Sequence, residues 1–249
     1  MLKSDLSQYL IQPAKTVTEY SESLSTSFNL PPRLTQFSMN LLTTRKSYIA
    51  WKESKANCML LLNGQTIADQ TSCCWLSPAA IELAALLKQE RIKDTNRSRV
   101  SVAELYCQKT DFMKVDVTRI SAVICLVLQL LEANLSILGD TERYDRLRAQ
   151  LVSIDGNGYT EFSRVCALLI EVLQYFDLVY FIIDRVDRIG GNFMRDFLNN
   201  LMLKKTTAKV RVLCVASRNQ SETAKKIDEL QDEMDESDFA VLCLDQERS

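Results

Sequence analysis

The sequence predicts an α/β domain of three layers, with helices on both faces of a mostly parallel sheet, preceded by a separate N-terminal segment. Three observations predict it. Residues 58–62, 178–183 and 239–244 form short uninterrupted apolar runs, and 210–215 is apolar but for Arg211, the pattern of strands buried on both faces rather than one. Longer segments between them carry apolar residues at helical spacing. Each run also stops abruptly on polar residues: Asn63-Gly64, Asp184, Ser217-Arg218 after Ala216, and Asp245.

Residues 1–50 are polar and rich in Ser and Thr, and Pro13 and the pair Pro31-Pro32 interrupt any long helix. They read as short helices packed on something else or as an arm, and the main domain is expected over 51–249. The run 58–62, Cys-Met-Leu-Leu-Leu, is the first strand. Ser77 is a good N-cap and Pro78 a good first helical residue, and Ala79, Ala80, Leu83, Ala84, Leu86 and Leu87 give the next helix an apolar face down to Arg91. A shorter strand is expected at 100–107. Ile120, Val123, Ile124, Val127, Leu128, Leu131 and Leu135 predict a long buried helix over 117–138, and another helix comes next over 141–153. The turn Asp155-Gly156-Asn157-Gly158 leads to a helix over 161–176 with Phe162, Val165, Leu168, Leu169, Val172, Leu173 and Phe176 on one face. The strand 178–183, a helix over 193–203, a strand over 210–215, an acidic helix over 221–236 and a strand over 239–244 complete the order.

Composition narrows the chemistry. The 249 residues, 47% hydrophobic and 25% charged, suffice for one large core. Thirty Lys and Arg against 32 Asp and Glu leave a net charge of -2, with no field to concentrate nucleic acid or an anionic membrane. The chain has no histidine, which excludes imidazole-activated serine or cysteine nucleophiles and imidazole metal ligands. Eight scattered cysteines, several in apolar runs, read as buried thiols in a reducing compartment. The N-terminus has no apolar core of signal-peptide length, and the run from Ile120 meets Glu132 too early to span a bilayer. A cytoplasmic location is the expectation.

In open parallel α/β sheets ligands sit beyond the carboxyl ends of the strands, so the residues there are the candidate site. An apolar strand running into an acid is what a P-loop NTPase uses to hold magnesium opposite the phosphates. Residues 180–188, Tyr-Phe-Ile-Ile-Asp-Arg-Val-Asp-Arg, resemble the Walker B segment of NACHT-type STAND NTPases, above all the fungal ones, in which an apolar strand runs into Asp, two residues and then Asp-Glu. Upstream, Glu104-Leu105-Tyr106-Cys107, Asp111 and a helix with Leu126, Leu128, Gln129, Leu130 and Leu131 are similar to their second strand and the helix after it. Downstream, residues 209–218 resemble their sensor strand, which ends in Thr-Ser-Arg. The likeness runs in order over roughly residues 56–245 and implies a three-layer αβα P-loop NTPase-like fold. It implies Gly64, Asp184, Asp187, Ser217 and Arg218 as nucleotide-site residues, with Asp184 as the magnesium ligand and Asp187 as the catalytic acid if the protein is active.

The departures from that pattern decide the functional expectation. A working phosphate loop reads GxxxxGK[ST], with glycines that expose backbone N–H groups and a lysine that neutralises phosphate charge. Residues 63–76 contain one glycine, no Lys or Arg, and an added acid at Asp69. Arg188 stands where the family has the glutamate that polarises the attacking water. The expectation is therefore a pseudo-NTPase with no cofactor, whose partners are other proteins, including copies of itself, and neither nucleic acid nor membrane. The alternative is an active ATPase binding ATP and magnesium, with Lys109, Lys114 or Arg218 replacing the lost lysine. A plainer possibility is a ligand-free scaffold in which Trp75 fills the space above the strand ends, Asp184 and Asp187 merely end the strand and cap the next helix, and Arg218 is an ordinary solvated arginine. Two other features carry little. Residues 153–164 have the outline of an EF-hand loop, but Ser153 and Arg164 occupy the positions of its first and bidentate acidic ligands. The pair Cys73-Cys74 has Asp69 nearby rather than a cation that would activate a thiol.

Overall fold

A computed structural model of the chain describes residues 39–64, 76–93, 99–107, 117–152, 159–202, 206–217 and 239–243. The helices are α1 (Met39–Thr43), α2 (Lys46–Glu53), α3 (Ser77–Lys93), α4 (Arg119–Ala133), α5 (Thr141–Val152), α6 (Tyr159–Leu173) and α7 (Phe193–Met202). The strands are β1 (Cys58–Gly64), β2 (Val100–Tyr106), β3 (Leu178–Asp184), β4 (Lys209–Ser217) and β5 (Phe239–Cys243). They form one sheet in the order β2-β3-β4-β1-β5, and every pairing is parallel.

The sheet is covered on both faces, and period-two alternation assigns each strand residue to one of two cores. Leu60 and Leu62 of β1, Val100 and Val102 of β2, Tyr180 and Ile182 of β3, and Leu213 and Val215 of β4 pack with α1, α2 and α3. Met59, Leu61, Ala103, Leu105, Phe181, Ile183, Val212 and Cys214 pack with α4, α5, α6 and α7 on the other face. Two-sided burial is the reason the strands read as mostly apolar runs. The larger second core stacks Phe193 on Phe197, with ring centroids 5.0 Å apart, and sets Phe162 and Phe181 edge-on to them.

Helix α2 lies against β1 and β5, α1 packs on α2 and α3, and α2 crosses the expected boundary at residue 50. Its Tyr48 and Trp51 are buried, and Trp51 Nε1 donates to the carbonyl of Val212, 3.0 Å away. Beside them Arg211 lies over the Tyr180 ring, donating to its hydroxyl at 2.9 Å and to the carbonyl of Ser54 at 2.6 Å.

Several element boundaries differ from the sequence-based expectation; the helix expected over 161–176, for instance, is Tyr159–Leu173. The long helix expected to reach residue 138 ends at Ala133: Asn134 leaves helical conformation at φ −141°, and a short 3₁₀ turn, Leu135–Leu138, comes next. Leu135, counted by spacing as inward, is consequently exposed. Strand β4, expected over 210–215, runs from Lys209 to Ser217, its last two residues pairing with Asn63 and Gly64 of β1. Helix α3 begins one residue earlier than expected. Its first bonds run from the Ala79 and Ala80 N–H groups to the Leu76 carbonyl, which puts Ser77 inside the helix and its side chain to another use. The expected turn at 155–158, the acidic helix at 221–236 and residues 1–38 lie outside the described residues. Among the described residues no helix is long and apolar enough to cross a membrane.

Candidate functional site

The chain leaves β1 for a helix on one face of the sheet and leaves β3 for α7 on the other, so the carboxyl ends of β3, β4 and β1 lie where such connections diverge and a crevice is expected. Three of the sequence-predicted positions meet there. Gly64 is the partner of Ser217 across β1 and β4, and Asp184 is the partner of Val215 across β3 and β4. Asp184 and the end of β1 are thus two strand spacings apart, roughly 10 Å. Arg218, Lys109, Lys114, Asp111, Asp69, Asp245, Cys73, Cys74, Trp75 and the loop 65–75 lie outside the described residues.

Asp184 is fully buried, and its Oδ1 accepts a hydrogen bond from Ser77 Oγ at 3.0 Å. Ser77 is itself fully buried in the first turn of α3. Alternation points Asp184 to the α3 face, as it does Tyr180 and Ile182. On the neighbouring strand Tyr106 stands in register with Asp184, and the Cys107 N–H donates to the Asp184 carbonyl at 3.1 Å. A short polar chain continues toward solvent. The Tyr106 hydroxyl donates to Glu104 Oε2 at 3.2 Å, and Lys88 Nζ of α3 donates to Glu104 Oε1 at 2.7 Å. Burial first, then the charges of Glu104 and Asp184 and the bond to Glu104, hold the Tyr106 phenol far above its usual range.

Asp187 has a different neighbour. After Asp184 the backbone turns through Arg185 in the left-handed region, φ 58° and ψ 50°, into a 3₁₀ turn at Val186–Arg188. The Arg185 guanidinium folds over this turn onto Asp187: Nη2 donates to Oδ2 at 2.8 Å, and Nε lies 3.1 Å from Oδ1 and 3.2 Å from Oδ2. The two side chains are 3% and 0% exposed, so this is a buried, two-nitrogen ion pair. The sequence does not single out Arg185, and no pattern marks it. Its role depends on a positive φ that arginine rarely adopts.

The Cys107 thiol sits among these groups. Burial pushes it well above the ordinary thiol range, the Asp184 and Asp187 carboxylates push it further, and the Arg185 guanidinium opposes them. It is accordingly a neutral, inert thiol. At the end of β1, Asn63 is buried, and its Oδ1 has no hydrogen-bond partner among the described residues. Among the described residues no group of three or more Cys, Asp and Glu side chains converges as a metal cage.

Ser77 is the site residue that sequence reading misses. The signal is present, since a serine opening the first helix after β1 can face an acid at the end of β3, but local spacing assigns the hydroxyl to capping. Compared with known proteins, no family model matches the chain and no curated protein matches it.

Proposed function

We propose that the chain is a degenerate NACHT- or STAND-like pseudo-NTPase module, acting through its surfaces in protein interaction or signalling assembly rather than through nucleotide chemistry. The observation that carries this reading is the start of α3. In P-loop NTPases the Ser or Thr that closes the phosphate loop and the acid that ends the apolar strand hold magnesium together. Ser77 and Asp184 stand in that relation, 3.0 Å apart. Counting back from Ser77 along GxxxxGK[ST], the lysine falls on Leu76 and the glycines on Trp75 and Gln70. Leu76 is fully buried. An aliphatic side chain thus stands where phosphate needs a cation, and bulky residues stand where backbone N–H groups need glycine to approach.

The residues do not fit a magnesium-nucleotide site as a set. One acid meets the helix-start hydroxyl, but the second is neutralised by Arg185, and the residue before Ser77 offers no charge. Partners are then proteins, with further copies of this chain among them, and the location cytoplasmic. The second reading, a nucleotide switch with a non-standard loop, is favoured by the intact Ser77–Asp184 contact alone.

Isothermal titration with ATP and ADP, with and without magnesium, separates the two. The expected result is no binding heat from a protein whose circular dichroism shows it folded. Micromolar, magnesium-dependent binding that disappears in Asp184→Ala would sink the pseudo-NTPase reading.

A further inference from the structure

We infer that Arg185 is a built-in counter-cation, whose guanidinium occupies the Asp187 carboxylate and closes that carboxylate, as distinct from Asp184, to a divalent ion. The inference rests on the reading of the β3 end as a former metal and phosphate site, and it adds what now does the electrostatic work there.

Four observations support it. The pair is geometrically complete, with two guanidinium nitrogens on both carboxylate oxygens at 2.8 to 3.2 Å. Both side chains are buried, so neither charge is relieved by water. Arg185 adopts φ 58°, a conformation that glycine takes at no steric cost and that an arginine holds only when something over-determines it. The turn that places it is itself tied down: the Arg188 N–H donates to the Arg185 carbonyl at 2.9 Å, the Ile189 N–H to the Val186 carbonyl at 3.2 Å, and the Gly190 N–H to the Val117 carbonyl at 3.1 Å.

A tethered cation wins over a free one for physical reasons. Arg185 is two residues from Asp187, so its local concentration far exceeds that of dissolved magnesium. Guanidinium cannot give up its proton in the physiological range, so it cannot neutralise itself to make room. Magnesium demands near-octahedral oxygen ligands and gives up its own water reluctantly. Its entry would have to break a buried, two-nitrogen ion pair. The turn is therefore held in one conformation irrespective of ligand, which suits a module used for a fixed surface rather than for a nucleotide-driven switch.

The test is thermal unfolding of the full chain, in millimolar magnesium chloride and in sodium chloride of matched ionic strength. Wild type, Arg185→Met, Arg185→Gly and the double variant Arg185→Met with Asp187→Asn are compared, and the glycine variant removes the charge without the backbone strain in case the methionine variant fails to fold. The wild-type midpoint is expected to be the same in both salts. The Arg185 variants are expected to melt lower by on the order of 10 °C, to regain part of that loss in magnesium and not in sodium, and to lose the magnesium gain when Asp187→Asn is added. A wild-type midpoint raised by magnesium alone overturns the inference, and so does an Arg185 variant that is destabilised yet indifferent to magnesium. Neither result touches the pseudo-NTPase reading, which fails instead if magnesium with ATP stabilises the wild type where magnesium alone does not.

Discussion

At the β3 end the chemistry turns on single atoms. Asp184 has no exposed surface, so each donor to its carboxylate replaces a water it cannot reach, and hydrogen bonds to buried charged acceptors are worth roughly 1.5–3 kcal/mol. Ser77→Ala removes one such donor while keeping the helix-forming backbone, and is expected to lower unfolding stability by about 2 kcal/mol in urea titration. A loss below a few tenths would mean that the hydroxyl is not a real partner of Asp184. Residues of this kind are unevenly legible in the sequence. Asp184 announces itself as an acid ending an apolar run, and both the residue and its burial follow from that pattern. Ser77 is visible only as a cap, because its function is set by a side chain 107 positions away. Arg185 is invisible, because neither composition nor spacing encodes a positive φ. Asp187 reads as a nucleotide-site acid because sequence shows an acid's position and not the cation that reaches it first.

At the scale of elements, β2 is an edge of the sheet among the described residues, and an edge strand exposes unpaired backbone groups that invite pairing with other chains. The protein covers it with an amide. Gln129 of α4 donates from Nε2 to the Glu104 carbonyl at 2.6 Å, and its Oε1 accepts from the Glu104 N–H at 2.9 Å, so one side chain supplies both bonds of a missing strand partner. Gln129→Leu preserves the volume and helix propensity and leaves both backbone groups without their amide. It is expected to cost about 1–3 kcal/mol, to speed amide hydrogen exchange at Glu104, and to leave exchange in the central strands β4 and β1 unchanged. Equal acceleration throughout the sheet would show global destabilisation instead of an opened edge. Element types are readable because strand runs and helical spacing are set by two-sided and one-sided burial respectively. Their ends are less so. Asn134 terminates α4 although an apolar residue comes next in phase: its N–H still donates to the Leu130 carbonyl, but its backbone leaves the helix at φ −141° and its Oδ1 accepts from Ser136 Oγ at 2.6 Å, and the apolar count does not register that.

Across the molecule, both cores hold weak acids in neutral form, and this fixes how the whole fold answers to pH. Cys58, Cys107, Cys125, Cys166 and Cys214 are buried free thiols. Burial pushes the Cys214 thiol from an ordinary 9.0 up to about 12. It raises Cys125 as well, with Gln129 opposing, and Cys107 with its two acidic neighbours. On the other face the Tyr48 phenol is pushed up to about 12, mainly by burial and then by Glu90 and Tyr180. The sign is set by proton counts. Above pH 9 the unfolded chain releases thiol protons that the folded chain keeps, so the unfolded state binds fewer protons and stability falls as pH rises. Below 9 both states are protonated and the contribution is constant. Cys214 alone should cost about 1.4 kcal/mol at one pH unit above its unfolded value, with a growing loss toward 12. Urea unfolding at pH 7, 8, 9 and 10 is expected to give a flat line to about 9 and a decline beyond it, shallower in Cys214→Ala, whose own stability offset appears equally at every pH. At pH 8 the same five thiols should react with an aromatic disulfide reagent only after urea is added. Rapid reaction of Cys107, Cys125, Cys166 or Cys214 in the native protein, located by peptide mapping, or an alkaline slope that Cys214→Ala leaves untouched, would mean that the face carrying α4 to α7 is not closed around its thiols, and the two-core description of the sheet would fail with it.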